Sequence, residues 1–209
     1  KFGSLEIHVR EEYLSREHPE ILYVSNIERE GRRIGILADT EVGWHYDQIY
    51  RPKPAVGSLL MADILPPEGG NTEFADLRHA YDTLDERTRR DAEGLQAEHY
   101  ALHTRLLLGD EAYTDEQKKA LAPVVWPLVD THPGSGRKLL FVGAHARQII
   151  GWPTAESRMF LQDLLEHATQ HDHVYAHEWQ PGDTVIWDNR STLHRVRRYD
   201  ISERREMRR

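Results

Sequence analysis

The sequence predicts an all-β core with several helices set between its strands, and three observations carry that expectation. Short runs rich in β-branched and aromatic residues recur along the chain, turn signals from Gly, Pro and Asp bound them, and helical periodicity is confined to a few places. The predicted strands are residues 5–9, 21–25, 34–37, 57–64, 72–76, 98–102, 128–131, 138–142, 173–179, 183–187 and 191–196. Their short lengths suit an antiparallel sandwich or barrel.

The best helical pattern covers 154–169, where Met159, Leu161, Leu164, Leu165 and Ala168 form an apolar stripe opposite Asp, Glu and Gln. Thr154, with Glu156 and Ser157, reads as its start. Further helices are expected at 77–84, 87–93 and 114–122, the last opened by Thr114 with Gln117 three residues on, a capping box. Sharp turns are predicted at 66–70, 132–136 and 180–183, the last two as hairpin connections. Without a repeat, a low-complexity stretch or a linker, residues 1–209 read as one domain. Both ends look abrupt, as in a piece cut from a longer protein.

Composition narrows the function. The formal net charge of -8 speaks against a nucleic-acid binder, and the 39% apolar content supports an ordinary core. Seven arginines from Arg195 to Arg209 make a basic stretch, yet only Tyr199 interleaves them with an aromatic, so nucleic acid is not the expected partner. No cysteine is present, which removes disulfides, thiolate metal sites and a cysteine nucleophile together. No apolar run approaches the roughly 18 residues of a membrane span. The chain is therefore expected to be cytoplasmic, with a small molecule as its partner; a homo-oligomer is compatible with the sequence. Thirteen histidines favour a metal on nitrogen and oxygen ligands.

A facial site for iron(II) and dioxygen needs two histidines and a carboxylate on one side of the metal, leaving the other side open. His45-Tyr46-Asp47 places two such ligands on one face of an extended segment, because side chains two residues apart point the same way. Such a triplet is no more than chance would give in a chain this rich in His and Asp, and a half-buried strand with two solvated polar residues is its plain alternative. His194 supplies the third ligand after the Trp187-Asp188-Asn189-Arg190 turn. Arg205 and Arg209 follow at even spacing, where planar guanidinium groups could grip carboxylates from one strand face. Two other clusters read as bland. His18-Pro19-Glu20 lies in a polar loop, and His171-Asp172-His173 follows a helix end, where histidine favourably faces the dipole.

Taken with Phe2-Gly3-x-Leu5, Trp44-His45-x-Asp47, Pro67-x-Gly69-Gly70-Asn71-Thr72-x-Phe74, His132-Pro133-x-x-Gly136-Arg137, Trp179-x-x-Gly182-Asp183 and Arg204-Arg205-x-Met207-x-Arg209, these residues resemble the taurine and 2,4-dichlorophenoxyacetate dioxygenase family over nearly the whole chain. Residues 97–102, 143–146 and 197–202 are most similar to the phenoxyacetate branch. The resemblance implies a double-stranded β-helix, the cupin-like jelly roll, with Fe(II) on His45, Asp47 and His194. It implies 2-oxoglutarate held by Thr72 and Arg205, a small anionic organic substrate facing Arg209 and His8, dioxygen as oxidant, and ascorbate as a supporting reagent in vitro.

An aryloxyalkanoate is the substrate class so implied, in the setting of aromatic herbicide degradation. An alkylsulfonate, taurine or alkyl sulfate is the alternative, although Glu41 stands where the taurine branch has a substrate-contacting asparagine. The family also carries a segment before Phe2 that this sequence lacks. Readings from other classes are a jelly-roll protein that binds metal and a small acid without turnover, and a zinc hydrolase on the same ligands.

Overall fold

The computed structural model describes residues 3–36, 43–49, 51–103 and 113–209. A 3-10 turn at Glu11–Tyr13 precedes β1 (Tyr23–Ser25), β2 (Glu28–Arg29) and β3 (Arg32–Arg33). Next come β4 (Gly57–Ile64), β5 (Thr72–Asp76), α1 (Leu77–Asp82), α2 (Glu86–Ala92), β6 (Gln96–His99) and α3 (Asp115–Ala120). Then follow β7 (Val124–Pro127), β8 (Val129–Thr131), β9 (Lys138–Leu140), β10 (Ala146–Ile149) and α4 (Thr154–Ala168). A second 3-10 turn at His171–His173 leads into β11 (Val174–His177), β12 (Thr184–Asp188), β13 (Thr192–Val196) and β14 (Glu206–Arg208). The expected β core with intervening helices is thus present.

Two antiparallel sheets position the site. One has the order β1-β14-β4-β12, the other β11-β5-β13. Phe74 of β5 meets Leu60, Ala62, Trp187 and Met207 of the four-stranded sheet in a small buried cluster between them. A larger cluster lies under the helices and the β10-β6-β7 sheet, built on residues such as Tyr46, Leu77, Leu140, Phe141, Leu161 and Leu193.

Local chemistry explains the helices. Asp76 caps α1 by accepting the Arg78 N–H, Asp85 caps α2 through Arg87 and Thr88, and Thr114 with Gln117 forms the capping box predicted for α3. Helix α4 begins at Thr154 as expected, but Pro153 is its cap and no side chain bonds there. Ser157 is instead buried and accepts the Ile149 N–H at 2.5 Å, tying α4 to β10.

Several expectations are corrected. Residues 5–9 form no strand, since Leu5 and Ile7 are exposed and no strand among the described residues pairs with them. Ile36 makes only an isolated bridge to Val24, and residue 37 lies outside the described residues. The run 98–102 splits: β6 ends at His99 and residues 101–103 turn helical. The turn at 132–136 does join an antiparallel pair, β8 and β9, but that at 180–183 does not. It links β11, paired to β5, with β12, paired to β4, so the chain crosses between sheets there. Strands β7, β10 and β14 were not predicted; they are three or four residues long and carry Pro, Arg, Gln or Glu in place of a clear alternation.

Candidate metal centre

The residues that assemble the site are held by backbone pairing across the two ends of the chain. His45 and His194 form an isolated antiparallel bridge, with His45 N–H to His194 C=O at 3.1 Å and the reverse bond at 3.0 Å. The extended strand expected around His45 is reduced to this one bridge, because the backbone enters a turn at Asp47 and Gln48 has φ 55°. Alternation survives locally. Tyr46 points away into the core, packing on Phe141 and donating to Leu140 C=O at 3.2 Å, while His45 and Asp47 face His194.

The donor atoms of His45, Asp47 and His194 lie within 4.8 Å of one another and all three side chains are buried. Among the described residues no other group of three such side chains meets that test. His45 Nδ1 lies 2.9 Å from Gly43 C=O, so this nitrogen carries the proton and Nε2 keeps its lone pair. His194 Nε2 lies 3.8 Å from Asp47 Oδ1. Its ring is wedged beside His45, Trp187 and Phe74, with centroids at 4.2, 4.7 and 6.2 Å.

Electrostatics suit a cation. Burial, reinforced by the neighbouring His45, pushes the His194 imidazole down to about 3, and burial also lowers His45. Both rings are then neutral ligands. Burial would raise the Asp47 carboxyl, yet the Arg209 guanidinium, helped by the Ser58 hydroxyl, holds it well below the usual carboxylate range. Ser58 donates to Asp47 Oδ2 at 2.5 Å, and Arg209 donates to Oδ1. Two neutral imidazoles and one carboxylate on a shared face are the donor set of a non-haem iron centre with open positions. The residues present fit that metal.

Asn189 is a contributor that sequence reasoning named within a motif without giving it a task. Its Oδ1 accepts the Asp47 N–H at 2.9 Å, and its Nδ2 donates to Asp47 C=O at 2.8 Å and Ala55 C=O at 3.0 Å. Beside it, Asp188 pairs with His132 at 3.0 Å and with Arg190, fixing the turn before β13. Ser58 had no signal beyond its place in a strand. The edge of the His145 ring approaches His45, with centroids 6.3 Å apart.

A second group surrounds Arg205. This guanidinium is 2% exposed, donates to Gly70 C=O at 3.2 Å and leaves Nε without a hydrogen bond. Among the described residues no carboxylate pairs with it. Burial lowers it to about 10, with the Tyr199 ring 5.7 Å away. Gly70 has φ 72°, and a Cβ there would stand 3.2 Å from Arg205 Nε, so glycine serves both the turn and the close approach. Thr72 opens β5, buried, with Oγ1 accepting the Trp179 indole N–H at 2.9 Å.

The remaining expectations divide. Strand β14 is short, with a register shift between Glu206 and Met207, yet Met207 enters the core and the arginines on either side of it point inward, Arg205 towards Gly70 and Arg209 onto Asp47. His8 is half-buried, accepts the Arg10 N–H at 3.1 Å and is not a member of the three-ligand group. His18 and Glu20 lie on a turn 3.9 Å apart, and His171 and Asp172 are fully exposed, as the bland readings had it. Phe2 and Glu41 lie outside the described residues.

A model of the taurine catabolism dioxygenase TauD, TfdA family matches residues 1–209. The chain belongs to this family. Among the family's relatives, the chain is 50% identical over 217 aligned positions to the alpha-ketoglutarate-dependent 2,4-dichlorophenoxyacetate dioxygenase of Cupriavidus pinatubonensis, covering all of this chain and 76% of that protein. The same-named enzyme of Burkholderia sp. (strain RASC) is 49% identical, with all of this chain and 73% of that one covered. Among solved structures, AAD-2 in complex with Mn(II) and N-oxalylglycine superposes with a TM-score of 0.79 at 46% identity, over 90% of this chain and 69% of that one. No helix among the described residues is long and apolar enough to cross a membrane.

Proposed function

We propose that the chain is an Fe(II)- and 2-oxoglutarate-dependent dioxygenase that hydroxylates an aryloxyalkanoate, of the class represented by 2,4-dichlorophenoxyacetate. The observation that carries this reading is the convergence of His45, Asp47 and His194, together with a deeply buried arginine, Arg205, that no carboxylate among the described residues pairs with. A double-stranded β-helix is the finer topology that goes with it, supported by the two facing antiparallel sheets and by the structural relatives.

In this reading His45, Asp47 and His194 hold the metal. Iron(II), 2-oxoglutarate and dioxygen, when bound, supply the oxidant for a C–H bond and yield succinate and carbon dioxide. The chain's own residues do the rest. Arg205, desolvated and positioned by Gly70, takes the far carboxylate of 2-oxoglutarate with charge-assisted hydrogen bonds, and the Thr72 hydroxyl adds to that contact. Trp179 fixes the threonine, and Trp187 with Phe74 keeps water from the His194 side. Arg209, already at Asp47, stands within reach of a substrate carboxylate brought to the centre. Hydroxylation of the carbon between the ether oxygen and the carboxylate gives a hemiacetal, which breaks its C–O bond to release a phenol and glyoxylate.

The test is a panel of aryloxyalkanoates, alkylsulfonates and alkyl sulfates supplied with iron, ascorbate and oxygen, scored by succinate and by phenol. Succinate and phenol formed one-to-one with an aryloxyacetate is the expected result. Succinate with a sulfonate alone would overturn the substrate class, and none with any acid would favour a binding protein without turnover.

A further inference from the structure

A groove of about 290 Å³ opens between α4 and β10 and shares none of its lining residues with the metal centre. On α4 its wall is a single helical face, since Leu161 and Gln162 stand three and four residues after Arg158, and Leu165 stands four after Leu161. Opposite stand Ala144 and Arg147, with His103 at one end. Arg147 is held in place, its Nε bonded to Glu98 and its guanidinium 5.2 Å from the Tyr100 ring. Arg158 has no carboxylate and no hydrogen-bond partner among the described residues. The His103 imidazole is held below its ordinary range by burial and then by Arg158 and Arg147.

We propose that this groove is a second anion site, separate from Arg205 and Arg209, for a small organic acid with an apolar body of about benzoate's size. The volume of about 290 Å³ falls just below the roughly 300–1,000 Å³ usual for ligand pockets, which limits the occupant to a small molecule. The cationic end offers the Arg158 guanidinium, unpaired among the described residues, to a carboxylate, while Leu161, Leu165 and Ala144 offer the body an apolar wall; inorganic phosphate would satisfy the first and waste the second. The inference does not depend on the reading of the metal centre. Residues 143–146 do stand between the two sites, with Ala144 N–H bonded to Trp44 C=O at 2.7 Å next to His45, so occupancy of the groove would bear on a segment adjoining the metal ligands.

The test is an NMR titration of the protein loaded with Zn(II) and 2-oxoglutarate, using benzoate, benzyl alcohol and inorganic phosphate as probes. Benzoate should shift the amides of Ala144, Ala146 and Leu165 saturably. Arg158→Gln should weaken that binding about fivefold, the upper range for one partly exposed charge pair, and Arg158→Glu should weaken it further. Arg209→Gln should leave it unchanged. Arg158 is exposed, so neither of its variants threatens the fold. Benzoate shifts confined to the surroundings of His45 and His194, unaltered affinity in both Arg158 variants, or phosphate and benzyl alcohol binding as tightly as benzoate would each overturn the proposal.

Discussion

Asn189 clamps the peptide of Asp47 from both sides, accepting its N–H at 2.9 Å and donating to its carbonyl at 2.8 Å. The side chain is 1% exposed and spends its remaining donor on Ala55. Asp47 thus owes its placement to a residue from the opposite end of the chain, and a supporting shell of this kind is expected to set metal affinity. Asn189→Asp replaces both donated bonds with a carboxylate facing two carbonyls. It should weaken Mn(II) binding by about 10–100-fold. Calorimetric titration of the folded variant checks this, and wild-type affinity would show the clamp to be dispensable.

His45→Ala and Asp47→Ala should each abolish succinate formation by removing a ligand. Iron content, measured beside turnover, decides the matter. Near-normal activity in either variant with iron quantified would refute the three-residue assignment.

Arg205 presents an opposition between stability and use. A guanidinium buried without an anion costs free energy, so Arg205→Met should leave thermal unfolding in the absence of 2-oxoglutarate unchanged or raised. The same variant should lose about 2–5 kcal/mol of 2-oxoglutarate binding. Arg209→Gln, in contrast, should impair acidic substrates and spare 2-oxoglutarate. A lowered melting temperature in Arg205→Met with unchanged co-substrate dependence would assign the arginine to the fold alone.

His99 offers a pH test away from the metal. It is fully buried in β6, neither ring nitrogen has a hydrogen bond among the described residues, and burial pushes it down to about 4. Its folded value lies below the unfolded value of about 6.5, so the unfolded chain binds the extra proton first and stability falls as pH drops from 6.5 to 4. The loss from this group approaches about 3 kcal/mol and levels off below pH 4. His99→Leu should flatten that part of the stability profile in urea unfolding. Equal slopes in variant and wild type would mean that the ring finds a partner for its proton.

How far the sequence could be read depends on where the information resides. The ends of β4 and β5 are visible because marked Gly, Pro and Asp turn signals bound their apolar residues, and α3 because Thr114 and Gln117 announce its start. His45, Asp47 and His194 are legible as residue types with the right spacing and motif. Their meeting is not, since it depends on a single bridge across the molecule. Strand β14 and the crossing at residues 180–183 are set by which sheet offers a free edge, a property of the assembled structure. The task of Asn189 is hidden for the same reason: its partners are backbone groups, which carry no residue signature.

The bridge between His45 and His194 also fixes when the centre can come into being. Its two halves are separated by most of the chain, so the loop they close is long and its entropy must be met by packing formed elsewhere first. A partly folded chain would present these imidazoles singly, as weak ligands. Iron therefore binds tightly only to the finished molecule, and added metal should raise the unfolding midpoint in proportion to the logarithm of its concentration. The ion acts as a late latch on the assembled fold.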